Sequence, residues 1–243
     1  MRIRTFSKRC VKEILRDPIN LFFGLGFPIV LLILLSAIQA NVPVELFSIE
    51  SLAPGITVFG LSFLTLFSAS LIAKDRESAF LQRLYTTPLR AHEFILGYMF
   101  PMIPIAIAQS ICCYLVANVL GLPFTVNVFY AILFHLPMAV FNIALGLLFG
   151  SILNTKQVGG ICGALMTNLS AWLSGVWFDL SLIGGAFEKV AHALPFVHAV
   201  ELVRAVLNGH FSEVSAHLWV VILYMLAVSV GAILLFLQQM KKQ

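Results

Sequence analysis

The residues of this chain that could do chemistry are concentrated in one polar stretch, residues 74–94. Its sequence, KDRESAFLQRLYTTPLRAHEF, carries seven charged side chains, whereas only 11% of the whole chain is charged. Uncharged apolar runs flank it on both sides. Charges of both signs next to apolar side chains are typical of a surface that docks a soluble protein. We interpret this stretch as the input surface of a membrane-embedded body.

Motifs for catalysis are missing from the sequence. A P-loop, which cradles nucleotide phosphates, needs a Gly-Lys pair, and the sequence has none. His92-Glu93 lacks the second histidine of a zinc-protease helix, because Leu96 stands in its place. Trp172 stands where a serine elbow around Ser174 would need glycine. We therefore expect that the chain is not an enzyme.

The metal-ligating residue types are scattered. The six histidines show no ligand spacing, so we expect them to be polar surface residues rather than ligands. The four cysteines lie in the basic N-terminus or in apolar runs, with no pattern of a zinc site or a disulfide framework. We expect no metal and no cofactor in this chain.

Polar residues inside the apolar runs are few, and each has two possible roles. They can form hydrogen bonds between helices, or they can line a path for cargo. Asn168, near the middle of its apolar run, suits either role equally. The other candidates are expected to hold helices together: Gln109, Asn118, His135, Asn142 and Asp179.

Two G-x-x-x-G motifs and one charged pair complete the candidates. Gly146 with Gly150, and Gly159 with Gly163, could let helices approach closely within the bundle or between subunits. Glu201 and Arg204 are three residues apart on a predicted helix outside the membrane and could pair. That pair could act as an external gate or only make partial burial tolerable.

Composition determines the class of protein that positions these residues. The chain has 243 residues, is 60% hydrophobic and has a mean hydropathy of +0.98, well above soluble domains. Its apolar runs predict a polytopic all-α membrane protein with a single transmembrane domain, residues 1–243. The predicted transmembrane spans are residues 19–40, 52–73, 95–120, 126–153, 158–183 and 217–237.

Two further segments have helical periodicity without the length of a span. Residues 1–17 are basic, with Ile3, Phe6, Cys10 and Ile14 on one face, which predicts an interfacial elbow helix at the lipid headgroups. Residues 184–216 carry two short apolar stripes separated at Pro195. They predict an external pair of amphipathic or re-entrant helices before the last span.

The distribution of basic residues predicts the orientation. Of the 15 Lys and Arg residues, 13 fall in the N-terminus, residues 74–94, the turn at Lys156 and the C-terminus. Only Lys189 and Arg204 fall on the other side. Because positive loops stay in the cytoplasm, both termini are predicted to be cytoplasmic. The net charge of +4 then reflects membrane orientation, and we expect no nucleic-acid partner.

Two motifs resemble those of ABC-2 type permeases, the membrane subunits of ATP-driven exporters. The first is in residues 74–98, where the matching positions are Asp75-Arg76-Glu77, Leu84, Thr87-Pro88-Leu89 and Gly97. Ala79-Phe80 and Tyr98 depart from the family pattern. The second is LPFVHAVELVR, residues 194–204. The predicted layout of spans, elbow helix and external helix pair also resembles that family.

This resemblance implies a function and a set of partners. It implies a permease dimer, homodimeric or paired, bound to separate ATPase subunits that hold ATP and Mg²⁺. Residues 77–84 would form a coupling helix in a groove of the ATPase, and the cargo route would lie near the first, second and fifth spans. The residues then assigned to ATPase coupling are Arg76, Glu77, Phe80, Leu81, Arg83, Leu84, Thr87 and Pro88.

The leading hypothesis is an exporter permease in a bacterial or archaeal plasma membrane. Its cargo would be an amphipathic drug-like molecule, a lipid or a small peptide, because no buried positive cluster suits a strongly anionic polysaccharide. The alternatives are a non-transporting membrane scaffold or immunity protein, and an intramembrane hydrolase.

Overall fold

The computed structural model describes residues 2–43, 47–78 and 91–241, and these residues form helices and no strand. The helices lie along the chain in the order α1 (Arg2–Leu15), α2 (Pro18–Asn41), α3 (Ile49–Glu77), α4 (Ala91–Met99), α5 (Met102–Val119), α6 (Val126–Ile152), α7 (155–173), α8 (Gly185–Ala193), α9 (Pro195–Leu207) and α10 (Phe211–Lys241). The all-α prediction is confirmed.

Helix α3 is the centre of the bundle. It packs along α6, which in turn packs along α10, while α2 and α10 lie at the periphery with most of their apolar surface exposed. Hydrogen bonds inside this core join the helices: Thr65 donates to the side chain of Asn142 at 3.1 Å, and Gln109 donates to the Thr57 carbonyl at 3.1 Å. The predicted bonding role of Gln109 and Asn142 agrees with these contacts.

Proline accounts for the main break between helices. Helix α4 ends at Met99 and α5 begins at Met102, after Pro101. Proline has no backbone N–H to donate and its ring crowds the preceding turn, so the helix is interrupted there. Pro101 therefore explains why this span is interrupted near its start.

Five helical segments in the described residues are long and apolar enough to cross a membrane: α2, α3, residues 93–119, α6 and the greater part of α10. They correspond to five of the six predicted spans. Helix α3 extends to Glu77, and α10 begins at Phe211 rather than at 217. The charged or polar ends of these two spans therefore remain helical outside the apolar stretch.

The remaining predicted span, residues 158–183, is shorter than expected. Helix α7 ends at Leu173, and a turn with Gly175 at φ +67° and a 3₁₀ helix at Leu180–Leu182 follow. A positive φ is incompatible with a right-handed helix, so the helix cannot continue through Gly175. Glycine adopts this backbone conformation readily, whereas other residues rarely do. The segment from Thr155 to Gly175 nevertheless runs between the two ends of the bundle. Thr155 contacts Glu77 at one end, and Gly175 contacts Arg204 at the other.

The external helix pair is present as α8 and α9, which meet at an angle of 74°. Helix α9 is largely buried against α3, α6 and α10, so the second helix of the pair lies within the bundle. Pro195 is its first residue and preorganises the start of the helix. The bent pair is together long and apolar enough to count as a sixth candidate span, broken at Leu194, or as a re-entrant element.

Candidate functional site

The charged end of α3 forms the densest polar site in the described residues. Asp75 is 1% exposed and accepts hydrogen bonds from both terminal nitrogens of Arg9 on α1. The Tyr98 hydroxyl on α4 donates to the same carboxylate at 2.7 Å. Phe6 packs edge-on against Tyr98 with ring centroids 4.9 Å apart. This network attaches the elbow helix to two spans.

The electrostatics keep Arg9 charged. Burial lowers the pKa of the Arg9 guanidinium, but the hydrogen bond and the charge of Asp75 outweigh burial and raise that pKa above its usual value. Glu13, one turn later on α1, adds a second ion pair at 2.9 Å. Arg9, on the basic side of α1, therefore faces the rest of the protein.

Arg76 points from α3 to the carboxyl end of α6. Its guanidinium donates to the backbone carbonyls of Ser151 and Leu153, the latter at 2.5 Å. The last carbonyls of a helix have no partner inside the helix and carry a partial negative charge, so a cation stabilises them. The forked guanidinium can bind both carbonyls at once, which a lysine cannot do in this geometry.

Glu77 points to the amino end of α7. Its two carboxylate oxygens accept hydrogen bonds from the backbone N–H and the hydroxyl of Thr155, each at 2.9 Å. A carboxylate at a helix N-terminus is stabilised by the unpaired N–H groups and the helix dipole. Asn154 and Gln157 close a capping box at the same turn.

Lys74 is the fourth charged residue at the end of α3. Its ammonium group lies 3.2 Å from Asp17, which caps the start of α2. Burial raises the pKa of Asp17, but the hydrogen bonds from Asn20 and Lys74 outweigh it and lower that pKa. Residues 74–77, which we call the junction, thus connect α3 to α1, α2, α4, α6 and α7.

Most of the predicted coupling residues follow the junction. Phe80, Leu81, Arg83, Leu84, Thr87 and Pro88 lie outside the described residues. The structure places the other two, Arg76 and Glu77, in contact with the protein's own helices. The junction therefore leads along the chain directly into the predicted coupling helix, residues 77–84.

Asn168 lies on the wall of a groove of about 600 Å³ between three helices. Its side-chain nitrogen donates to the Ala164 carbonyl at 2.8 Å. The groove is otherwise mainly aromatic and apolar, lined by Phe27 and Leu31 of α2, Phe59 of α3, Thr167, Ala171 and Trp172 of α7, and Trp177 and Phe178. Both α2 and α7 contain a π-helical stretch, Phe22–Gly26 and Gly159–Met166, a feature common at functional sites.

The two glycine pairs occupy different surroundings. A Cβ on Gly146 would overlap Ser68 and the Thr65 carbonyl, and one on Gly150 would lie 2.6 Å from the Ala69 carbonyl. These glycines therefore allow α6 to approach α3 within the chain. Gly159 has no atom within 4 Å of its Cβ position, and Gly163 meets only the end of the Leu66 side chain.

Glu201 and Arg204 form no direct ion pair, although Glu201 still acts electrostatically on Arg204. Arg204 donates to the backbone carbonyls of Ser51 at 3.3 Å and Gly175 at 3.4 Å. Glu201 faces His217 instead, at 3.5 Å. The two side chains thus make their closest polar contacts with different neighbours.

The arrangement as a whole defines a class of protein. It is a multi-pass helical membrane protein with an amphipathic N-terminal helix, a bent helix pair before the last helix and a charged junction at the end of its central span. The ABC-2 type transporter family model matches residues 1–208. The chain belongs to this family, and it is the permease component of an ABC transporter. Such permeases are not themselves catalytic and normally work with a separate ATPase subunit. No curated protein sequence matches the chain.

Sequence reasoning missed several partners of the junction. Arg9 was considered only as part of a basic leader, and Tyr98 only as a departure from the family pattern. Ser151 contributes only its backbone carbonyl to the junction, so its residue type carries no signal; Thr155 contributes its hydroxyl as well as its backbone N–H. Four consecutive charged residues directly after a long apolar run do indicate that these charges need partners.

Proposed function

We propose that the chain is the membrane subunit of an ATP-driven exporter, in which the junction transmits movement from an ATPase to the bundle. The junction carries this proposal, because four consecutive side chains contact helices or helix caps at five places in the chain. A force applied to residues 77–84 reaches α6 and α7 through the bonds of Arg76 and Glu77. ATP and Mg²⁺ belong to the ATPase.

The groove around Asn168 supports an amphipathic cargo. Its aromatic walls suit an apolar body, and Asn168 supplies a polar group on the same wall. A drug-like molecule, a lipid or a small apolar peptide has this chemistry. The π-helical stretches of α2 and α7, Phe22–Gly26 and Gly159–Met166, directly precede the residues by which these two helices line the groove.

The bias in basic residues supports an orientation with the junction and both termini in the cytoplasm of a bacterial or archaeal cell. The exposed face of α7 at Gly159 supports a homodimer, because small residues let two helix backbones approach closely. In that dimer the grooves of the two copies would lie next to the shared interface. A pairing with a different permease chain would use the same face.

The experiment is reconstitution of the permease with its copurifying ATPase in lipid vesicles. Transport of a fluorescent amphipathic dye and ATP hydrolysis are measured together. Leu84→Ala should reduce the amount of ATPase that copurifies. Arg76→Lys and Glu77→Gln should retain the ATPase but lower ATP-dependent transport at least about tenfold, because each loses charge-assisted hydrogen bonds.

Arg16→Lys is the matched control, since Arg16 is an exposed basic residue outside the junction. It should leave both readouts unchanged. Full transport in the Arg76→Lys and Glu77→Gln variants would refute the transmitting role of the junction. Transport by the permease without any ATPase would refute the exporter assignment itself.

A further inference from the structure

Three metal-ligating side chains converge at the end of the bundle opposite the junction. Among the described residues, His198 and Glu201 of α9 and His217 of α10 form a group whose ligand atoms all lie within 4.8 Å of one another. His198 and Glu201 are three residues apart and share one face of α9. His217 lies on the neighbouring helix, so the group bridges two helices.

The distances within this group approach those of a metal site. The Nδ1 atoms of His198 and His217 are 2.9 Å apart, and His217 Nδ1 is 3.5 Å from Glu201 Oε2. Metal–ligand bonds of about 2.0–2.1 Å in a tetrahedral zinc site separate neighbouring ligand atoms by roughly 3.3 Å. The two observed distances bracket this value.

A hydrogen bond outside the group orients one of the ligands. His198 Nε2 lies 2.9 Å from the backbone carbonyl of His192. A carbonyl can only accept, so Nε2 carries the hydrogen and the lone pair of Nδ1 points toward His217. Metal-binding histidines generally donate their second N–H to a carbonyl or carboxylate in this way.

We propose that His198, Glu201 and His217 bind one divalent transition-metal ion of the zinc type. Two imidazole nitrogens and one carboxylate are a ligand set that suits Zn²⁺, and a water molecule would complete four-coordination. Glu201 and His192 also line a polar cavity of about 300 Å³, which gives the ion a path from solvent. All three ligands are only partly buried.

The bound ion would join the re-entrant helix α9 to the last span α10. Without metal, the same side chains are held by one histidine–histidine hydrogen bond and one polar contact between His217 and Glu201. The metal ion would therefore act as a removable cross-link at the end of the bundle farthest from the junction. This inference does not depend on the transported cargo or on export.

The test uses the purified full-length chain in detergent, carrying an affinity tag without histidine. After treatment with a chelator, the protein is titrated with Zn²⁺ in competition with a chromogenic chelator, and thermal unfolding is followed by tryptophan fluorescence. We expect one Zn²⁺ per chain and a Tm that rises with Zn²⁺ but not with Ca²⁺. Co²⁺ should give the visible absorption of a four-coordinate site.

Variants locate the site. His198→Gln and His217→Gln should weaken Zn²⁺ binding by at least about 100-fold. Glu201→Gln keeps the shape of the side chain and should weaken binding by at least about tenfold, which decides the case if a histidine variant fails to fold. His210→Gln and His192→Ala should bind like the wild type, because His210 is outside the group and the His192 carbonyl is retained.

Two results would overturn the proposal. One is wild-type protein that binds no Zn²⁺ and shows no Zn²⁺-dependent change in Tm. The other is Zn²⁺ affinity equal to that of the wild type both in the single variant Glu201→Gln and in one of the single variants His198→Gln and His217→Gln. That result would place the ion elsewhere on the surface.

Discussion

Asp75 illustrates how a single buried charge determines local stability. Its side chain is only 2% exposed, whereas the side chain of Arg9 is 33% exposed. Removing one member of such a pair therefore has unequal effects. A buried carboxylate without its cation cannot reach water, but Arg9 without Asp75 is partly hydrated and still faces Glu13.

We expect Arg9→Met to lower the free energy of unfolding by about 3–5 kcal/mol, because it leaves the Asp75 carboxylate buried with the Tyr98 hydroxyl alone. Asp75→Asn should lower it less. The measurement is the Tm of each variant in detergent, together with the double variant Arg9→Met/Asp75→Asn. The double variant should be more stable than Arg9→Met, because it removes the buried charge.

Equal Tm values for Arg9→Met and the double variant would contradict this explanation. They would mean that Arg9 contributes through the packing of its aliphatic chain rather than through its charge. Lys12→Met is the matched control, since Lys12 is exposed on the same helix. It should leave the Tm within the error of the measurement.

At the scale of the elements, close packing of α3 against α6 holds the core together. The backbones approach where Gly146 and Gly150 face residues 65–69. Ser68 adds a hydrogen bond to the Ile143 carbonyl at 3.2 Å across the same contact. In a lipid environment, such van der Waals contact and interhelical hydrogen bonding replace the hydrophobic effect as the source of association.

Gly146→Ala should destabilise the bundle by about 1–3 kcal/mol, because the added Cβ meets the Thr65 backbone and the helices must separate. Gly159→Ala is its matched control, in the same sequence motif but with no atom within 4 Å. It should be neutral or slightly stabilising, since alanine favours helix over glycine by up to about 1 kcal/mol. Tm values in detergent compare the two directly. Similar losses in both variants would contradict this difference.

Much of the arrangement of helices along the chain was predictable from the sequence. Apolar length located five spans, and Pro101 located the break between α4 and α5. The early end of α7 was not predictable, because the apolar run continues past Leu173 while the backbone turns at Gly175. The burial of α9 was also missed, since its partners on α3, α6 and α10 are distant in sequence.

At the scale of the whole molecule, one wall of the groove is incomplete. Asn168 and Trp172 lie on an exposed face of α7. Gly159, on the same helix nearer the junction, is also exposed, with no atom within 4 Å of its Cβ position. The proposed homodimer would cover this face with a second copy. The candidate cargo site would then be bounded by both subunits.

Gly159→Leu should shift the protein from dimer to monomer without lowering its Tm, because a large side chain blocks close approach of two helices and the Cβ position of residue 159 has no atom of the chain within 4 Å. Light scattering coupled to size exclusion measures the mass in detergent. Ala227→Leu, an exposed position on α10, is the control and should remain dimeric. A persistent Gly159→Leu dimer would exclude this face as the interface.

The candidate site was only partly predictable at this scale. The charges of residues 74–77 stood out in the sequence, and the family motif drew attention to Arg76 and Glu77. Their contacts with the protein's own helices could not be read, because the acceptors of Arg76 are backbone carbonyls. The group at His198, Glu201 and His217 was also missed, since His217 is distant in sequence from the other two.

The junction has a consequence for the synthesis of the chain. Arg76 and Glu77 leave the ribosome long before their partners, because Glu77 and Thr155 are separated by 78 positions in sequence. At typical elongation rates of 5–20 residues per second, this interval is roughly 4–16 s. Residues 78–94, which follow Glu77, therefore emerge from the ribosome before Arg76 and Glu77 can contact α6 and α7. An ATPase bound to this stretch in the proposed way would pass no movement to the bundle until those two helices are in place. Coupling would in this way begin only in finished chains.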